Sequence, residues 1–310
     1  MKGESVNIAH LFKRVTNMSK SDDDYLYRFV FEQFGVRGEF VCLGSSWQAV
    51  RERHDYPASV ETQLGKALTS VLLLSGTIKF KGSLILQLQG DGKISSLVAQ
   101  ATEQRTLRGM ASFDEALREQ SEMDEELLLG QARLVLTAES PSGERYQGIV
   151  PVDGGDMGAA VEGYFEQSEQ LPTRLWLAAN DEHAAGLFLQ RLPQSEDDEE
   201  HWQRVCILAD TIRDEELLNL DAEAVLHRLF HEEDLRLFEP EPVAFRCGCS
   251  RERVGNALVS LGEGEVAQML DEMGSIEVNC EFCNAQYVFD TVDAAALFSG
   301  PSVDTPDSVQ

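Results

Sequence analysis

The sequence predicts an α+β protein in three parts: an N-terminal mixed α/β domain with hairpin-rich sheets over residues 21–193, a metastable acidic helical linker over 194–246, and a small four-cysteine domain over 247–290. Length comes first, because 310 residues exceed what a single hydrophobic core commonly holds. Charge comes second. Acidic and basic residues number 27 and 19 in 1–193, 16 and 5 in 194–246, and 11 and 2 in 247–310, for net charges of −8, −11 and −9. The third observation is that four of the six cysteines gather between positions 247 and 283. Residues 1–20 and 291–310, the latter rich in Ser, Pro and Gly, are expected to be disordered ends.

In the first part, Val60, Leu64, Leu68, Val71 and Leu72 repeat at helical spacing behind Pro57, a residue suited to a first helical turn. Leu84, Leu86 and Leu88 then alternate up to Gly90-Asp91-Gly92, and Ile94 resumes the pattern, which predicts a hairpin. A second hairpin is predicted by Leu134-Val135-Leu136, the turn Pro141-Ser142-Gly143 and the return Ile149-Val150. Asp156 can cap a helix carrying Val161, Tyr164 and Phe165, with Gly154-Gly155 forming the turn before it.

The middle part opens on Ser195-Glu196-Asp197-Asp198-Glu199-Glu200 after Pro193, a run that must stay solvated. Beyond it, Trp202, Val205, Cys206, Ala209 and Ile212 form one amphipathic stripe, and Val225, Leu226, Leu229 and Phe230 form another behind the N-cap Asp221. His231-Glu232-Glu233-Asp234 place negative charge at the C-terminal end of that helix, against its dipole. Short helices among so many carboxylates are marginal in water, so they depend on docking against a support.

Composition excludes several classes. The net charge of −28, from 54 acidic against 26 basic residues, repels nucleic acid and anionic lipid surfaces. No apolar run approaches the ~18 residues of a membrane span. Lys2, Lys13, Arg14 and Lys20 near the start are not followed by the apolar stretch of a secretory signal, so a reducing, cytoplasmic setting is expected. Six cysteines in such a setting are metal ligands or redox groups before they are disulfide staples. Cys42, in Phe40-Val41-Cys42-Leu43, and Cys206, on the linker stripe, are expected to act as small apolar residues.

The remaining four stand as Cys247-Gly248-Cys249 and Cys280-Glu281-Phe282-Cys283, with thirty residues between the pairs. Two close thiol pairs fit a tetrahedral zinc site, each short loop presenting two soft ligands. Between them, Ser250 can cap a helix with Val254, Ala257, Leu258 and Leu261 on one stripe, and Val266, Met269, Leu270 and Met273 form a second stripe. Ile276 and Val278 before the CxxC turn, and Tyr287 and Phe289 after it, alternate as in a hairpin. A unit near the ~40-residue limit for unaided folding leans on its metal. Arg246, Arg251 and Arg253 near the first pair can offset the charge of a four-thiolate centre. Each pair can also close a disulfide internally, although an i,i+2 bridge needs a bent backbone. Such tiny loops constrain the unfolded chain little, so they would not replace the crosslink a metal supplies. The working hypothesis is that oxidation pairs Cys247 with Cys249 and Cys280 with Cys283, expels zinc and destabilises both this unit and residues 194–246; Cys249–Cys280 bridges would contradict it.

Cys247-Gly248-Cys249-Ser250-Arg251-Glu252-Arg253 and Cys280-Glu281-Phe282-Cys283 resemble the heat shock protein 33 family of redox-regulated holdase chaperones. Val36-Arg37-Gly38-Glu39, His54-Asp55-Tyr56-Pro57, Gln87-Leu88-Gln89-Gly90-Asp91-Gly92, Gly143-Glu144-Arg145-Tyr146-Gln147-Gly148 and Ser168-Glu169-Gln170-Leu171-Pro172-Thr173-Arg174 extend the resemblance from about Tyr25 to Asp290. It implies that Cys247, Cys249, Cys280 and Cys283 hold one Zn2+ in a reduced, poorly active form. It implies further that peroxide or hypochlorous acid, with heat, produces two disulfides, zinc release and loss of linker structure. The activated form would then be a homodimer that binds unfolding client proteins without ATP and passes them to ATP-driven foldases.

Two other readings of the cysteines compete. A thiol–disulfide oxidoreductase would need its attacking cysteine at a helix N-terminus or beside a cation, and Glu281 with a following strand offers neither. A purely structural zinc knuckle would have the same ligands without the switch. Hydrolysis at zinc is excluded by four cysteine ligands, which leave no position for water. The chain is expected not to be an enzyme.

Overall fold

The computed structural model describes residues 6–7, 24–119, 124–193 and 198–299, which form two compact units divided between Arg246 and Cys247. Fourteen strands are present among these residues: β1 (Val6–Asn7), β2 (Asp24–Phe31), β3 (Val36–Leu43), β4 (Ser83–Gln89), β5 (Ile94–Thr102), β6 (Thr106–Phe113), β7 (Ala132–Glu139), β8 (Arg145–Val152), β9 (Thr173–Ala179), β10 (Ala184–Arg191), β11 (Leu235–Leu237), β12 (Glu241–Phe245), β13 (Ile276–Asn279) and β14 (Gln286–Phe289). The α-helices are α1 (Ser45–Arg51), α2 (Ala58–Thr77), α3 (Glu125–Leu129), α4 (Met157–Tyr164), α5 (Asp198–Ala209), α6 (Asp214–Asn219), α7 (Ala222–Phe230), α8 (Arg251–Leu261), α9 (Glu263–Met273) and α10 (Thr291–Phe298). The α+β class and both predicted hairpins, β4–β5 and β7–β8, are present.

The first unit is one curled sheet in the order β8-β7-β4-β5-β6-β12-β2-β3-β10-β9, with β11 also on β2 and β1 beside β11. Among the described residues its two halves are joined by β12, which pairs antiparallel with β2 at Glu241, Pro242 and Val243 and parallel with β6 at Ala244 and Phe245. Helix α2 lies against strands of both halves, including β5, β6, β9 and β10. The spacing of its leucines predicts an amphipathic stripe, yet every residue from Ala67 to Ser75 is buried. A helix enclosed on all sides must satisfy its polar side chains internally. Thr69 and Ser70 do so by donating to the carbonyls of Gly65 and Lys66, both at 2.8 Å. Close approach is allowed by Gly186 on β10, where a Cβ would lie 2.6 Å from Thr69 Cγ2 and 2.9 Å from Leu73 Cδ1.

The acidic middle segment is not set apart from this unit. Charge separated residues 194–246 in the sequence, but α5, α6, α7, β11 and β12 are built into the first unit, which ends at Arg246. Phe29, Phe31, Val36, Phe40, Leu187 and Leu189 line the sheet face opposite α2, and Trp202, Val205, Leu217, Leu218, Val225, Leu226, Leu229 and Phe230 cover them. Asp221 caps α7 as predicted, accepting from the Ala224 amide at 2.7 Å, and Glu233 after the helix is paired with Arg204 at 2.8 Å.

Two expectations about the ends are revised. Within residues 1–20 the described pair Val6–Asn7 is a strand on β11; the rest lies outside the described residues. Residues 291–298 are helix α10, not tail: Asp290 accepts from the amides of Val292 and Asp293, and Ala294 is buried. A strong N-cap on an apolar-faced segment outweighs a Ser/Pro-rich continuation that begins only afterwards.

Glu39 on β3 is buried at the end of α2, where the Thr77 hydroxyl donates to Oε1 at 3.1 Å and Oε2 has no partner. Burial pushes its carboxyl up to about 8 against the opposing pull of Thr77, Arg37, Arg105 and Arg28. The folded chain therefore holds this proton more tightly than the unfolded chain, and stability is lost as pH rises from about 4.5 towards 8. Glu39→Gln is expected to gain on the parent by up to ~1.4 kcal/mol per pH unit through that window, read by urea unfolding at low and high pH. A gain independent of pH would contradict the assignment. Gly186→Ala is expected to cost about 1–3 kcal/mol in the same assay, by overpacking against α2.

Candidate metal centre

The second unit is built by two cysteine loops and a small apolar core. Cys247-Gly248-Cys249 follows β12 after Arg246, and Ser250 ends it by capping α8, its hydroxyl accepting from the Arg253 amide at 3.2 Å. Arg253 donates back to the Gly248 carbonyl at 2.8 Å, which pins the CxC loop to the first turn of α8. The second loop joins β13 to β14. The Cys280 amide donates to Ala285 O at 2.9 Å and the Asn284 amide to Cys280 O at 2.7 Å, a tight turn with Asn284 at φ 56°. Asn tolerates that left-handed conformation because its short polar side chain costs little there.

Beneath the loops, Leu258, Val266, Leu270, Ile276, Phe289 and Ala294 form the core. The predicted helix stripes are only half used: Leu258, Val266 and Leu270 are buried, while Leu261 and Met273 remain exposed. The arginines have structural tasks. Arg251 pairs with Asp293 at 2.7 Å, donates to Val288 O at 2.8 Å and lies 4.3 Å from the Phe289 ring centroid, joining α8 to β14 and α10.

The sulfur atoms of Cys247, Cys249, Cys280 and Cys283 all lie within 4.8 Å of one another, the one such group of three or more candidate ligands among the described residues. Two of these approaches run between the loops, 3.7 Å for Cys247 to Cys280 and 3.3 Å for Cys249 to Cys283. A tetrahedral ion with metal–sulfur bonds of ~2.3 Å needs sulfur–sulfur edges of roughly 3.8 Å, so the four thiols fit zinc. None of the four is in a disulfide here.

Electrostatics give the same requirement. Partial burial disfavours the thiolates of Cys247, Cys249 and Cys283, but hydrogen bonds from Tyr287 and the neighbouring thiols bring Cys249 down to about 7. Burial and the same crowding push Cys247 up and Cys283 up to about 12. Like charges this close repel, so a thiolate cluster in this space calls for a cation, and a divalent ion would displace the protons. Tyr287, whose hydroxyl donates to Cys249 Sγ at 3.1 Å, was treated by sequence periodicity only as a hairpin residue; its position four residues beyond Cys283 was the available signal.

The other two cysteines belong to the first unit. Cys42 on β3 donates to Leu218 O at 3.5 Å, and Cys206 is buried on α5 with its thiol pushed up to about 12 by burial.

The comparisons with known proteins agree with this architecture. A family model described as Hsp33 protein matches residues 24–290. This chain belongs to the Hsp33 family. A 33 kDa chaperonin of Nitrosococcus oceani is 51% identical over 276 residues, 89% of this chain and 94% of that protein. One from Pseudomonas savastanoi pv. phaseolicola is 45% identical over 291 residues, 92% of this chain and 97% of its own. Among solved structures, the crystal structure of the 33 kDa chaperonin (heat shock protein 33 homolog) of Thermotoga maritima matches with a TM-score of 0.76 at 25% identity, covering 88% of this chain and 97% of that one. Family membership makes this Hsp33-family chain a chaperone, and its relatives carry the names of chaperonins, not of enzymes. No helix among the described residues is long and apolar enough to cross a membrane.

Removing metal tests the centre directly. Zinc-loaded protein treated with a strong chelator is expected to lose the helicity of α8–α10, since a structural zinc site contributes an apparent ~10–16 kcal/mol to folding such a unit. A far-ultraviolet dichroism spectrum unchanged by chelation would contradict this.

Proposed function

We propose that this chain is an ATP-independent holdase switched on by oxidation, in which Cys247, Cys249, Cys280 and Cys283 hold zinc while reduced. The metal would supply a crosslink between two loops that are otherwise joined through a small apolar core. Oxidation by peroxide would remove four electrons from the four thiolates, breaking two O–O bonds and forming the Cys247–Cys249 and Cys280–Cys283 disulfides. Oxygen leaves as hydroxide, and Zn2+ leaves with its charge unchanged. Both disulfides lie within a loop, so neither replaces the contacts between loops at 3.7 and 3.3 Å.

One observation carries the proposal: short acidic helices cover a largely apolar sheet face, on the segment that leads through Arg246 into Cys247. Helices α5, α6 and α7 have 12, 6 and 9 residues. Lengths of this order are marginal in water without a support, so loss of order in the second unit would favour their detachment. Detachment would uncover Phe29, Phe31, Phe40, Leu187 and Leu189, a surface fitted to the apolar segments of unfolding proteins. The net charge of −28 would keep such complexes dispersed. In this reading the active form is a homodimer, clients pass to ATP-driven foldases, and the protein works in the cytoplasm during oxidative and heat stress.

Nothing at the CxxC turn favours an oxidoreductase. Cys280 follows β13, and Cys283 precedes Asn284 and β14, so neither sulfur sits at a helix N-terminus.

The test follows zinc release with a chromogenic chelator during peroxide treatment at raised temperature, while the same samples are assayed for suppressing aggregation of a thermally unfolding client. Joint onset, reversed by thiol reductant plus zinc, is expected. Zinc loss without holdase activity would leave a structural knuckle, and full activity with zinc bound would remove the redox step. Leu226→Asp, which places a charge under α7, is expected to raise holdase activity of the reduced form, because an unpaired buried charge costs several kcal/mol.

A further inference from the structure

Cys249 receives a side chain from a strand of the other cysteine loop's hairpin. Tyr287 lies on β14, opposite Val278 of β13, and its hydroxyl reaches Cys249 Sγ at 3.1 Å. The ring crosses from the CxxC hairpin to the CxC loop, making a polar tie between the two loops. A hydrogen bond to a thiolate withdraws electron density from sulfur and occupies a lone pair that an oxidant must reach.

We infer that Tyr287 is a positioning residue that holds Cys249 in the centre and tempers its reaction with peroxide. This rests on the zinc–thiolate reading proposed above. The tempered step is attack of the Cys249 sulfur on peroxide: an S–O bond forms, the O–O bond breaks, sulfur gives up two electrons, and hydroxide leaves. The resulting sulfenic acid is then displaced by the Cys247 thiolate, closing the disulfide and releasing a second hydroxide. Tyr287 takes no part in the electron balance; it sets how exposed the Cys249 electron pair is before the first step.

The experiment uses full-length, reduced, zinc-loaded protein and Tyr287→Phe, which deletes one oxygen and keeps the ring. Zinc content and a cobalt(II)-substituted absorption spectrum establish the centre, and time-resolved alkylation with mass mapping follows Cys249 under peroxide. Phenylalanine is expected to speed Cys249 oxidation about three- to tenfold and to shift the thiolate-to-cobalt absorption to lower energy, as loss of a charge-assisted hydrogen bond requires. A strengthened donor, 3-fluorotyrosine at position 287, is expected to slow the same step, and it decides the matter if the phenylalanine variant does not hold metal. Unchanged Cys249 kinetics in the variant that binds metal overturn the role of Tyr287 alone. Wild-type protein that keeps its zinc and thiols through peroxide treatment overturns the redox reading, and this inference with it.

Discussion

The fold depends on enclosing helix α2. Its central residues, from Ala67 to Ser75, are buried on every side, and such a helix is stable only if the sheet reaches it from more than one direction. The two half-sheets do so, and β12 is the strand that joins them. Glu241 secures that strand with one carboxylate shared between Arg28 of β2 and Arg105 of the β5–β6 turn. Arg105 is itself tied to the end of α2, donating to Ser75 O at 2.7 Å. The central helix, the seam of the sheet and the acidic segment are thus one mechanical assembly.

The acidic segment consequently has two attachments of different kinds. Through α5, α6 and α7 it covers an apolar face by nonspecific burial, and through β12 it completes backbone pairing between the half-sheets. Burial of large apolar side chains contributes roughly 1.5–3 kcal/mol each, but short carboxylate-rich helices give part of this back through low intrinsic stability. A layer balanced in this way can be ordered and still be the first to leave. The chain passes from Phe245, the last residue of β12, through Arg246 into Cys247, so the metal loops begin where the seam ends.

The metal unit repeats that balance on a smaller scale. Six buried residues form its core, and its helices leave Leu261 and Met273 exposed. Arg251 and Asp290 organise the helix ends. Crowded thiols that resist joint ionisation make a divalent cation the natural partner of the two loops.

The sequence by itself determined the local elements and singled out the four cysteines that the fold gathers into one cluster. Asp156, Asp221 and Ser250 act as caps because a short side-chain oxygen before an apolar periodic run has one strong use. The cysteine pairs were legible because ligand spacing is a covalent property of the chain, and family resemblance extended that reading to a chaperone. Tertiary structure decided what local patterns leave open. A stripe on α2 does not reveal that its other faces are covered too, charge on residues 194–246 does not reveal the apolar sheet beneath, and the Ser/Pro-rich end hid the cap at Asp290. Tyr287 reaches Cys249 only because strand register carries it there. Each of these depends on contacts between residues distant in the chain, and periodicity reports only which side of an element is apolar, never what will meet it.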